Sequence, residues 1–177
     1  MKGAVIGPPE AVAAEVLRHD PLAVALAILH IEWMTQRHYV DSVRDDGDLD
    51  PLFKSLLKHH WMEEAQHAKL DTLMVEALAE GRSEAEIHSA LDEYLEIGMF
   101  LDEGLKAQTG LNLDAFEKAT GRKLGDDERT ALAGQQHQAL RWTYLGTGMT
   151  HPKFVATLAA ISPAARDRIA EVAPAFC

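Results

Sequence analysis

Apolar positions recur with helical period along almost the whole chain, and no alternating strand pattern of useful length interrupts them. The start and stop signals are helical as well. Asp20-Pro21 offers an N-cap followed by proline at the first helical position, which predicts a helix from about 21 to 44, ending before Asp45-Asp46-Gly47. Asp50-Pro51 repeats the signal and predicts a second helix to about Glu80, closed by Gly81. Ser83 to Glu86 reads as a capping box for a third helix, expected to end near Gly110. A short helix over Leu113–Thr120 is expected before Gly121, and Gly125-Asp126-Asp127 opens a fourth long helix to about Thr150. Pro152 separates a tail of two short helices, the second starting at Ser162-Pro163.

The expected fold is all-α: one domain, a bundle of four long helices over about 20–150 with a C-terminal appendage at 152–177. Neither an internal repeat nor a low-complexity segment is visible.

Helical phase, at about 100° per residue, sorts the polar groups. In the second helix Phe53, Leu56, Leu57, Ala68, Met74, Val75 and Leu78 form the expected apolar stripe. His60, Glu64, His67 and Asp71 lie along its centre, while Glu63 and His59 fall at its edge and Lys58 and Lys69 well outside it. In the first helix Glu32 sits mid-stripe and Gln36 shares its line; His30 and His38 fall on the opposite arc and read as solvated. The fourth helix places His137, Arg141 and Tyr144 on one face, and His151 after it reads as surface. On the third helix Asp102 is the acid nearest the stripe, with Glu96 and Glu103 nearly opposite. Folding back at the turns near residues 47 and 82 would bring Glu32, Glu64 and these acids to one level.

Composition narrows the picture. Apolar residues make up 47% of 177 and charged residues 25%, a water-soluble balance. A net charge of −11 argues against nucleic acid or anionic lipid as main partner. The lone Cys177 precludes an internal disulfide, and "MKGAVIGPPE" lacks the apolar run of a secretory signal, so a cytoplasmic location is expected. No run approaches the roughly 20 apolar residues of a membrane span.

Inward carboxylates need a counter-charge, because an unpaired buried ion costs several kcal/mol. Arg141 is the one inward cation of the long helices, against Glu32, Glu64, Asp71 and Asp102. Carboxylates with imidazoles on facing helices suit iron, manganese or zinc, and bridging carboxylates can hold two ions. A metal-free network of Asp71, Arg141 and the histidines is the competing account.

The stretch Glu63–Leu70, "EEAQHAKL", resembles the second-helix signature of the ferritin-like di-iron carboxylate superfamily. That pattern places Glu on the first helix, Glu-x-x-His on the second, an acid on the third and Glu-x-x-His on the fourth. Glu32, Glu64 and His67 match its first half; His137 matches the last histidine, but Gly134 stands three residues before it where the pattern has Glu. Either His60 substitutes for that carboxylate, in a His-x-x-x-Glu-x-x-His string similar to that of di-iron N-oxygenases, or the second metal position is weak or empty. The short turn at 81–83 also departs from the long crossover of ferritin.

The resemblance implies an oxidoreductase: a non-haem, metal-binding, di-iron oxidase or oxygenase using dioxygen on a small organic substrate. It implies metal ligands Glu32, His60, Glu64, His67, Asp102 and His137, with Tyr39, Arg141 and Tyr144 as supporting groups. Iron storage or ferroxidase activity, a metal-free interaction module and a one-metal hydrolase or transferase are the other classes open to the sequence. A homo-oligomer is compatible with each, and no nucleic-acid or membrane partner is expected.

Overall fold

A computed structural model describes residues 8–177, so residues 1–7 of the N-terminal stretch discussed above lie outside it. Among the described residues the chain is helical throughout, without strands. Helix α1 is Pro9–Leu17, which the sequence reading left out. Helix α2, Pro21–His38, runs on as one π turn over Tyr39–Val43. Helix α3 is Pro51–Ala79 and α4 is Glu84–Thr120. Helix α5, Asp126–Arg141, continues through a π turn at Trp142–Gly146 into Thr147–Met149. Helices α6 (Pro152–Ile161) and α7 (Pro163–Val172) lead to a closing 3₁₀ turn at Ala173–Phe176.

The capping chemistry acts where expected. Asp20 accepts from Leu22 N and Asp50 from Phe53 N, each before a proline at the first helical position. Ser83 and Glu86 make the full capping box. The break expected near Gly110 is absent, and α4 runs 37 residues to Gly121, whose φ of 70° ends it. Gln108 Nε2 donates to Asn112 Oδ1 at 2.8 Å across that point, so a side-chain bond one turn long spans the glycine.

Helix α2 is the hub. It packs on α3, on α4, on the end of α5 and on α6, whereas α5 packs chiefly on α4. The core reflects this, with Leu22, Leu26 and Leu29 of α2 buried against Leu91, Tyr94 and Ile97 of α4 and Phe154 and Leu158 of α6. Being covered on several sides, α2 also buries His30, which the one-stripe reading had placed in solvent. His30 Nε2 lies 3.0 Å from the Tyr144 carbonyl, which can only accept, so Nε2 carries the proton. Nδ1 then accepts from the Tyr94 hydroxyl at 2.6 Å. His151 is also half-covered, stacked on Trp33 with ring centroids 4.7 Å apart. No helix among the described residues is long and apolar enough to cross a membrane.

Burial lowers the His30 pKa from its ordinary 6.5 to about 4, against weaker support for the cation from the Tyr144 and Leu145 carbonyls. The unfolded chain therefore takes up this proton first as pH falls. The contribution to stability is complete above 6.5 and is lost between 6.5 and 4. Denaturant unfolding should show a loss of about 3 kcal/mol from this group across that window, and His30→Gln should flatten it. A Cβ at Gly148 would overlap His30 Cδ2 and stand 2.6 Å from the His30 carbonyl oxygen. Gly148→Ala should accordingly lower the unfolding free energy by roughly 1–3 kcal/mol or more in the same measurement.

Candidate metal centre

Helices α2 and α3 run antiparallel, held in register by Gln36 Nε2 donating to the Trp61 carbonyl at 2.8 Å. The stack of Tyr39 on Trp61, 5.0 Å between centroids, closes the same end. This register sets Glu32 beside Glu64 and His67, and one donor atom from each lies within 4.8 Å of the others. Glu64 accepts from His67 Nδ1 at 2.8 Å, and His60 Nε2 stands 2.8 Å from its other carboxylate oxygen without hydrogen-bond alignment. The Glu-x-x-His spacing produces this directly, since both side chains rise from one face one turn apart. Asp71, one turn beyond His67, is buried.

The electrostatics are those of crowded acids. Burial, then contact with Glu64, pushes the Glu32 carboxyl up from 4.5 to about 7. Glu64 is held below its ordinary value, first by Glu32 and then by the two histidines. The pair thus shares a proton that resides on Glu32. Asp71 is raised by burial, and His67 is raised by Glu64. Glu32 Oε2 is buried, and no N–H or O–H of another residue reaches it. An orphaned carboxylate oxygen facing a second carboxylate and an imidazole is a donor set that fits a divalent first-row cation.

The other expected site residues lie elsewhere. Asp102 accepts from His137 Nε2 at 2.9 Å, and Arg141 Nε stands 3.0 Å away without hydrogen-bond alignment. Arg141 also lies over the Phe176 ring, 5.0 Å from its centroid. This trio neutralises Asp102 on the α4–α5 side, and neither it nor His137 joins the Glu32 cluster. Folding back at residue 82 does not set α4 on α3 as expected, because α4 takes α2 and α5 as its neighbours.

Tyr144 gives its carbonyl to His30 and turns its ring into an apolar cleft of about 650 Å³ with Ile31, Met34 and Phe100. Glu103 lines that cleft and is largely exposed. His60 and His67 are half-exposed, and the stripe members Phe53, Leu56 and Met74 are exposed rather than inward. The wheel placed them inward because it assumed one broad buried face, whereas α3 buries only Ala68, Asp71, Val75 and Ala79.

No protein-family model, curated protein or solved structure matches this chain.

Because Glu32 keeps its proton when folded, its contribution runs opposite to that of His30. It stabilises fully below 4.5 and is lost as pH rises through about 7. Glu32→Gln should therefore leave the chelated protein less destabilised between pH 6 and 8, which parallel thermal melts of both proteins would show.

Proposed function

We propose that Glu32, Glu64 and His67 hold a divalent metal, redox-active iron foremost, with manganese or redox-inert zinc as substitutes. On this reading the chain is a cytoplasmic, ferritin-like four-helix-bundle oxidase or oxygenase that uses dioxygen on a small organic substrate. The observation that carries the reading is the buried, unpartnered Glu32 Oε2 within a cluster of a second carboxylate and an imidazole. A bound cation would replace the shared proton as the counter-charge of the two acids. When bound, the metal supplies the redox chemistry on dioxygen that amino-acid side chains lack.

The chain's own part is to present donors and manage protons. Glu64 presents two oxygens, already aligned by His60 and His67. Asp71 lies behind His67 and within electrostatic reach of both Glu32 and Glu64. The half-exposure of His60 and His67 leaves the cluster open to small molecules. Three close donors support one ion directly; a second ion, as in a di-iron centre, needs donors beyond these three.

A metal-free reading has its own observation. With Glu32 protonated and Glu64 bonded to His67 and close to His60, most of the cluster's polar groups already have partners. Anaerobic titration with Fe(II), followed by metal analysis after desalting, separates the two. At least one equivalent per chain should be retained, with affinity reduced roughly 10–100-fold or more in Glu64→Ala and His67→Ala. Dioxygen consumption should accompany reoxidation of the iron-loaded protein. Retention of no iron, manganese or zinc, with melting unchanged by chelator, would discard the metal reading.

A further inference from the structure

Helix α3 carries a second pattern that its role in the cluster does not use. Leu52 and Leu56 at one end, and Leu70, Leu73 and Ala77 at the other, follow a four-three heptad spacing. His59, Glu63 and Gln66 continue the same spacing between them. Every one of these positions is exposed, with Leu52 at 80%, Leu56 at 64% and Leu70 at 63%. The line is about 38 Å long, apolar at both ends and polar over its three middle positions, and exposed leucines at this period are what a helix offers to another helix. It lies opposite Ala68 and Val75, the face that α3 turns to α2.

We propose that a second copy of this chain covers the seam, its α3 antiparallel to the first about a two-fold axis near residues 64 and 65. The ends of the seam are self-complementary in that register, while in its middle His59 meets the partner's Leu70. Leu56 meets the partner's Leu73, and Leu52 meets the partner's Ala77. Glu63 meets the partner's Gln66, polar on polar, whereas a parallel pairing would set Glu63 against its own copy. The relief fits as well. Leu73 and Ala77 help form a depression of about 560 Å³ whose far wall is Ala160 and Ile161 of α6. Leu52 and Leu56, which project furthest, are the side chains that would enter the partner's depression. A two-fold interface requires this exchange of knob and hole between identical surfaces.

The register has a chemical consequence, which rests on the metal reading above. His60 and His67 flank the seam on its cluster side. Antiparallel pairing sets His60 of one copy within about 3 Å along the axis of the partner's His67. The partner's His60 thereby reaches the rim of the Glu32–Glu64–His67 cluster and offers a further donor to the ion held there.

Sedimentation of the full chain, with and without chelator, tests the docking. It should give twice the 19.5 kDa chain mass in both cases. Leu56→Asp should give a folded monomer by circular dichroism, while Met99→Asp, at an exposed site on α4, should leave the dimer intact. Leu56→Cys with Leu73→Cys, in a Cys177→Ser background, should yield interchain disulfide dimers on oxidation; one helix holds these positions about 25 Å apart, out of reach of each other. A monomeric wild type, or a dimer broken by Met99→Asp and not by Leu56→Asp, would overturn the docking.

A dimer that binds no metal upholds the docking and removes the metal reading; a monomer that binds metal does the reverse. For the shared donor, His60→Ala should weaken Co(II) binding at least tenfold more in the dimer than in the Leu56→Asp monomer, where only its contact with Glu64 of the same chain is lost. Equal losses in the two backgrounds would overturn the contribution across the interface.

Discussion

Everything in this chain is arranged around α2, a helix that must satisfy several neighbours at once. Helices α3, α4, α6 and the end of α5 all pack on it. A helix covered on several sides cannot send its polar side chains to water, so each needs a partner inside the protein. His30 finds Tyr94 and the Tyr144 carbonyl, and Gln36 finds the Trp61 carbonyl. Arg37 reaches Thr150 and lies over the Trp142 ring. Glu32 and Trp33 are the members left with a buried polar atom and no partner, Oε2 in the one and Nε1 in the other.

The two π turns belong to the same constraint. Each lies where a long helix changes neighbours: Tyr39–Val43 at the end of α2, and Trp142–Gly146 where α5 meets α2. A π turn shifts the backbone hydrogen-bond register by one residue and re-aims the carbonyls around it. In the second turn the Tyr144 carbonyl takes the His30 proton. Close packing of Gly146 against Trp142 and of Gly148 against His30 leaves no space for a side chain at either glycine. Polar satisfaction of α2 and the fine geometry of the α5 terminus are therefore one arrangement.

Local chemistry made the element boundaries legible. Asp-Pro starts and the Ser83–Glu86 box are one-turn events that tertiary packing had no reason to override, and they stand where the sequence placed them. The Glu-x-x-His pairing was legible for the same reason, because spacing alone sets it within one helix. What a helical wheel could not supply was the number of faces each helix buries. It assigned α2 one stripe and so put His30 in water; it assigned α3 a broad stripe and so put Leu56 and Met74 inside. It also could not say which helices would be neighbours. Asp102 and His137 share a site with each other and Arg141, since α4 and α5 pair away from α3. A hint was available, because Arg141 sits one turn after His137 and supplies the charge that Asp102 requires.

Helix α3 shows how one segment can carry two messages without conflict. Its narrow buried line, Ala68, Asp71, Val75 and Ala79, uses small side chains and one acid, which lets α2 approach closely and brings Glu32 onto Glu64. Larger apolar side chains on that line would separate the helices and dissolve the cluster. The bulk a helix of 29 residues ordinarily buries is moved instead to the outer seam. His60 and His67 stand between the two lines, in contact with Glu64 on one side and half-open on the other. Close approach within the chain and an uncovered apolar seam outside it are thus two results of one choice, small residues inward and leucines outward. The donor cluster lies at the border because only there can imidazoles touch both.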